Sequence, residues 1–161
     1  MHRVRQLIGH LTARVRPDEA ALAGRILPPS AIPLFASMPV PDQRHALDVA
    51  QRLLARGVDD PDLLAAALLH DAAKGHRMRL WHRVGGVLVG AVAPQALERL
   101  ASPDARSWRH GFHLYLHHGP MSADAALAAG CSPRAADFIR GTVGPADAGV
   151  AAILHAADEA S

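Results

Sequence analysis

Metal-binding residue types recur where a folded chain would have to bury them. In the run LLAAALLHDAAKG, residues 63–75, Leu63, Leu64, Ala67 and Leu68 set the apolar stripe of a helix. His70 lies seven residues after Leu63, and Asp71 lies seven after Leu64, so both continue that stripe. A buried carboxylate without a partner is costly unless it takes up a proton. A divalent cation makes such a pair favourable, and an Arg partner is the other common arrangement. The end of the chain repeats the anomaly. Val150, Ala151, Leu154 and Ala157 mark a stripe, and Asp158 falls four residues after Leu154 and seven after Ala151. Upstream, Ala46, Val49, Ala50 and Leu53 define a third stripe, with His45 on its edge four residues before Val49. Taken singly, an inward His reads as a hydrogen-bonded core residue and an inward Asp as a cap or an Arg partner. Taken together, three segments point two imidazoles and two carboxylates at one core. That donor set suits Mn, Fe, Co, Ni or Zn, and its carboxylates admit Mg.

The elements that must position these residues are helices. Half of the 161 residues are hydrophobic, only 4% are aromatic, and Ala and Leu dominate the apolar set. Proline and glycine punctuate the chain. Residues 2–15 read as an amphipathic helix, and Pro17 with Asp18 and Glu19 opens another. Five prolines between residues 28 and 41 make a connector with one short helix near Phe35. Pro41-Asp42 opens a helix expected to stop at Gly57, and Asp60-Pro61 opens one expected to reach Lys74. Further helices are predicted over 78–93, 94–100, 103–118, 121–129, 133–141 and 146–161. The apolar run from Val84 to Ala93 reads as a buried core helix, since a membrane span needs roughly 20 residues. No strand pattern or internal repeat is evident. The expectation is an all-α bundle, with residues 1–40 as an N-terminal appendage and connector and residues 41–161 as the main domain.

Charge and cysteine usage narrow the function. The formal net charge is +2, and the sixteen Arg and single Lys are scattered, with no basic stripe of the kind nucleic-acid binders carry. One cysteine, Cys131, excludes an internal disulfide framework and fits a reducing compartment. The first residues lack the continuous apolar run of a signal peptide. A cytoplasmic protein without nucleic-acid or membrane partners is expected; the oligomeric state is left open.

The order His, then His-Asp, then a distant Asp resembles the HD superfamily of metal-dependent phosphohydrolases. RHALDVAQRLLARG and LLAAALLHDAAKG resemble its first two motifs, and LHAADEAS, residues 154–161, resembles its last. The resemblance covers residues 42–161, more loosely in the middle. It implies His45, His70, Asp71 and Asp158 as ligands of a divalent metal. Several branches of that superfamily carry a Lys three residues after the His-Asp pair, a position held here by Lys74, where it serves the substrate phosphate or acid–base chemistry. Binuclear branches add a His before Pro or Gly-Pro, which His118 matches best, with Ser122 where a Gly is usual. Their second helper His falls at Thr142, so one metal is the simpler expectation.

What the resemblance implies is hydrolysis of a nucleotide or other small phosphoester or phosphoanhydride. Asp71 would orient or deprotonate the attacking water, and Lys74 or His118 would neutralise the developing phosphoryl charge. Two alternatives are a degenerate, non-catalytic module that senses a ligand, and a diiron oxygenase of the same superfamily. His110, His113 and His117 share one helix face. His155 has no assigned direction, and His2, His10, His76 and His82 read as surface or interhelical residues.

Overall fold

The computed structural model describes residues 14–161, and its regular structure there is entirely helical, with no strand among those residues. The elements are α1 (Pro17–Ile26), a 3-10 turn (Pro29–Ala31), α2 (Ile32–Ala36), α3 (Val40–Ala55), α4 (Pro61–Leu69), α5 (Leu80–Val92), α6 (Pro94–Leu100), α7 (His110–Ala128), α8 (Pro133–Arg140) and α9 (Ala148–Glu159). The helix expected over 2–15 lies outside the described residues, apart from 14–15, which are not helical.

The bundle is built around α4. Asp60 caps it, accepting from the backbone N–H groups of Asp62 at 3.0 Å and Leu63 at 3.2 Å. Every residue from Leu63 to Leu69 is buried. A helix that is apolar on all sides belongs inside, and α1, α2, α3, α7, α8 and α9 all pack against it. Ala23, Leu27, Phe35 and Met38, from α1, α2 and their flanks, join the same core as α3 and α4. The expected stop of α3 holds: Gly57 adopts φ +78° and donates its N–H to the Leu54 carbonyl at 2.9 Å.

Three expectations are corrected. The helix through residue 70 ends at Leu69, not near Lys74, and residues 70–77 form a run of turns. The Ala73 N–H that would continue the helix donates instead to Ser122 Oγ of α7, at 3.0 Å. Residues 101–109 are not helical. There, Ser102, Asp104 and Ser107 side chains accept from the N–H groups two residues on, which competes with helix formation. In turn α7 runs through Gly119-Pro120, where a break was expected, and absorbs the helix predicted over 121–129. Pro120 is exposed, while buried Ser122, Ala123 and Ala126 anchor the second half of the helix.

The third correction concerns α5. Val84, Val87, Leu88 and Val92 are not core residues; they are 51, 45, 63 and 84% exposed. The glycines face inward instead. A Cβ on Gly86 would stand 2.7 Å from the Tyr115 ring of α7, so this residue allows the close approach of α5 to α7. Hydropathy alone does not reveal which side of an apolar helix is turned inward.

Candidate metal centre

Three elements bring the expected ligands to one point. His45 comes from α3, His70 and Asp71 from the turn capping α4, and Asp158 from the last turn of α9. Their apolar neighbours drive this arrangement: Ala46, Val49 and Ala50, then Leu63 to Leu69, then Leu154 and Ala157 are all buried. His45 Nε2 lies 2.7 Å from Asp158 Oδ1, and His70 Nε2 lies 3.5 Å from that oxygen. His70 Nε2 is also 3.6 Å from Asp71 Oδ2. Ligand atoms of His45, His70 and Asp158 all fall within 4.8 Å of one another, a spacing that could hold a metal ion.

Lys74 and His118 complete the cluster around Asp71. Lys74 Nζ is 2.5 Å from Asp71 Oδ2, and His118 Nε2 is 3.7 Å from Asp71 Oδ1. Both buried histidines are held in the same way. His70 Nδ1 donates to the Ala67 carbonyl at 3.0 Å, and His118 Nδ1 donates to the Tyr115 carbonyl at 3.0 Å. A carbonyl only accepts, so Nδ1 carries the proton and Nε2 is turned toward the carboxylates. Holding one ring nitrogen on a backbone oxygen is how proteins orient metal-ligating imidazoles. His70 Nε2 and Asp71 Oδ1 are buried and have no hydrogen-bond partner. Orphaned acceptors of this kind, two carboxylates facing one ammonium, fit a cation.

The electrostatics follow from burial and proximity. For Asp71, burial alone would raise the pKa, but His70, Lys74 and His118 outweigh it and hold the carboxyl well below its ordinary range. Asp158 behaves likewise: the loss of water opposes ionisation, and His45 and His70 reverse it. Burial disfavours a charged His70, yet the Asp71 and Asp158 carboxylates raise its pKa. His118 shifts the other way, lowered first by burial and then by the Lys74 charge.

The cluster opens on a cleft of about 490 Å³ whose lining includes His70, His118, Phe138, Arg140, His155 and Asp158. Sequence reasoning passed over Arg140. It also noted Ser122 only as a departure from a family pattern, although the hydroxyl fixes the turn that carries His70 and Asp71. Thr142 is exposed beyond the end of α8 and is not brought to the centre. His155 is mostly exposed, with Nε2 3.4 Å from Glu159 Oε1. His82 is an interhelical residue, buried and 2.8 Å from the Trp108 carbonyl. No helix among the described residues is long and apolar enough to cross a membrane. Compared with known family models, curated proteins and solved structures, the chain matches none.

Proposed function

We propose that this chain is a metal-dependent phosphohydrolase acting on a nucleotide or another small phosphoester or phosphoanhydride. The observation that carries the reading is the convergence of His45, His70 and Asp158 on one point, with Asp71, Lys74 and His118 beside it. The likeness of its motifs to the HD superfamily points the same way. His45, His70, Asp71 and Asp158 would hold the ion. When bound, such an ion supplies an acidified water and polarises a phosphoryl oxygen.

The chain's own residues do the rest. Asp71 stays ionised at neutral pH and keeps Oδ1 unpartnered, so it can accept a proton from water or orient it. Lys74 offers its ammonium to a phosphoryl oxygen as negative charge develops. His118 stays neutral, and its Nε2 can take a proton or contact a phosphate. The cleft volume matches a small-molecule site.

One observation favours a second reading. The Lys74 ammonium, 2.5 Å from Asp71, already supplies a cation to this carboxylate, as a degenerate, ligand-sensing site would need. Elemental analysis of the purified protein, then a panel of nucleotides and small phosphoesters with added Mn²⁺ or Mg²⁺, separates the two. The phosphohydrolase reading expects metal-dependent turnover that is lost in His70→Ala. A protein that takes up no metal and turns over nothing on the panel contradicts it.

A further inference from the structure

On the first half of α7, away from Asp71, stand three more imidazoles. His110, His113 and His117 follow one another at three- and four-residue spacing, one turn apart on the helix. The rings form a ladder: the centroids of His110 and His113 are 5.6 Å apart, and those of His113 and His117 are 4.5 Å apart. His110 Nδ1 donates to the Ser102 carbonyl at 3.2 Å, which leaves its Nε2 as the ring's acceptor. Among the described residues, the His113 and His117 rings touch other histidines and make no hydrogen bond or ion pair. His110 and His113 are half-buried and His117 is exposed, so the ladder is open to small solutes. The hydrophobic effect does not explain three adjacent imidazoles on an accessible face.

We propose that His110, His113 and His117 form a second metal site, separate from the centre at His70, for a borderline divalent cation such as Zn²⁺, Ni²⁺ or Cu²⁺. The i, i+4 pair His113–His117 is the chelate, and His110 closes the site from the turn above. An all-imidazole donor set excludes the hard ions: Mg²⁺ and Ca²⁺ take oxygen ligands, while imidazole suits Zn, Ni and Cu. Metal–nitrogen bonds of about 2.0–2.1 Å require the rings to tilt toward a common point, a side-chain movement on a fixed helix. Partial burial, together with repulsion from His117 and His110, lowers the proton affinity of His113 and favours the neutral, ligating form. Through the Ser102 contact, a bound ion would also tie the 101–109 loop to α7.

The test is calorimetric titration of the full chain with ZnCl₂ and NiCl₂, comparing wild type, His117→Ala, His113→Ala and His45→Ala. His117 is exposed, so its variant folds even if His113→Ala does not. Loss of a supporting partner alone weakens metal sites about 10–100-fold, and loss of a ligand costs more. His117→Ala is therefore expected to weaken one Zn²⁺-binding event by at least about tenfold, while His45→Ala leaves that event intact. Unchanged Zn²⁺ and Ni²⁺ isotherms in His117→Ala overturn the proposal. So does loss of the same event in His45→Ala, which would assign it to the other centre.

Discussion

Asp42 and Asp71 are equally hidden, at 1% and 2% exposure, and their surroundings differ in kind. Asp42, in the first turn of α3, has both oxygens 2.7 Å from Nη2 of Arg83 on α5. Asp71 has one oxygen on Lys74 and the other unpartnered, facing His118 Nε2 at 3.7 Å. The first carboxylate is a latch between helices. The second is held ionised with an acceptor left over. Burial of charge therefore does not mark a functional site by itself; a lone pair kept available inside the buried cluster does. Glu19 belongs with Asp42: it is buried, accepts from the Arg16 N–H at 2.9 Å and meets Arg44 at 2.5 Å.

The sharpest way to break this contrast is to truncate both aspartates. Asp42→Ala leaves Arg83 largely buried without its partner, and such losses cost about 3–5 kcal/mol. Asp71→Ala leaves only Lys74, whose flexible ammonium can turn toward the cleft, so the metal-free protein should lose about 1 kcal/mol. Its bound metal, however, should disappear. Urea denaturation and elemental analysis of the two variants measure this, and equal stability losses with unchanged metal content would erase the distinction.

Ser122→Ala has the next largest effect. It strips the acceptor from the Ala73 N–H, a loss of about 1–2 kcal/mol, and loosens the turn that presents His70 and Asp71. Turnover in the phosphoester panel should fall more than denaturation stability does. A variant with full activity would show that the turn holds itself.

The smallest effect concerns Glu19 and acid. Its pKa is lowered, first by the Arg16 backbone N–H and then by Arg44. A depressed folded pKa gives stability that is present above the unfolded value of about 4.3 and is lost as pH falls through the folded value. Glu19→Gln should therefore flatten part of the decline in Tm between neutral pH and strong acid, while Asp71 and Asp158 keep the remainder. An unaltered acid limb would place Glu19 outside the group of paired carboxylates.

Much of this was legible from residue spacing. Asp60-Pro61 and Gly57 set helix ends by local chemistry, and the structure keeps both. His45, His70, Asp71 and Asp158 were found because each interrupts an apolar stripe, and such stripes must meet in a core. The remainder depended on tertiary partners. Nothing local says that Asp42 meets Arg83, forty-one residues away, or that Ser122 takes the Ala73 N–H. The exposed side of α5 was misread because Gly85, Gly86 and Gly90 look like interruptions in sequence and serve as the packing face in space. Gly119-Pro120 was read as a stop because its local cost is real, and the buried anchor at Ser122 and Ala123 outweighs it.

The central claim is that the point shared by His45, His70, Asp71 and Asp158 is a metal site. Anomalous scattering from crystals grown with excess Mn²⁺ tests it most directly. The account predicts one strong peak within about 2.0–2.2 Å of His45 Nε2, His70 Nε2 and an Asp158 oxygen. It also predicts Asp71 turned from Lys74 toward the ion, and at most a weak second peak near His118, because Thr142 supplies no imidazole. No peak at that point, with Lys74 still seated on Asp71, would contradict it.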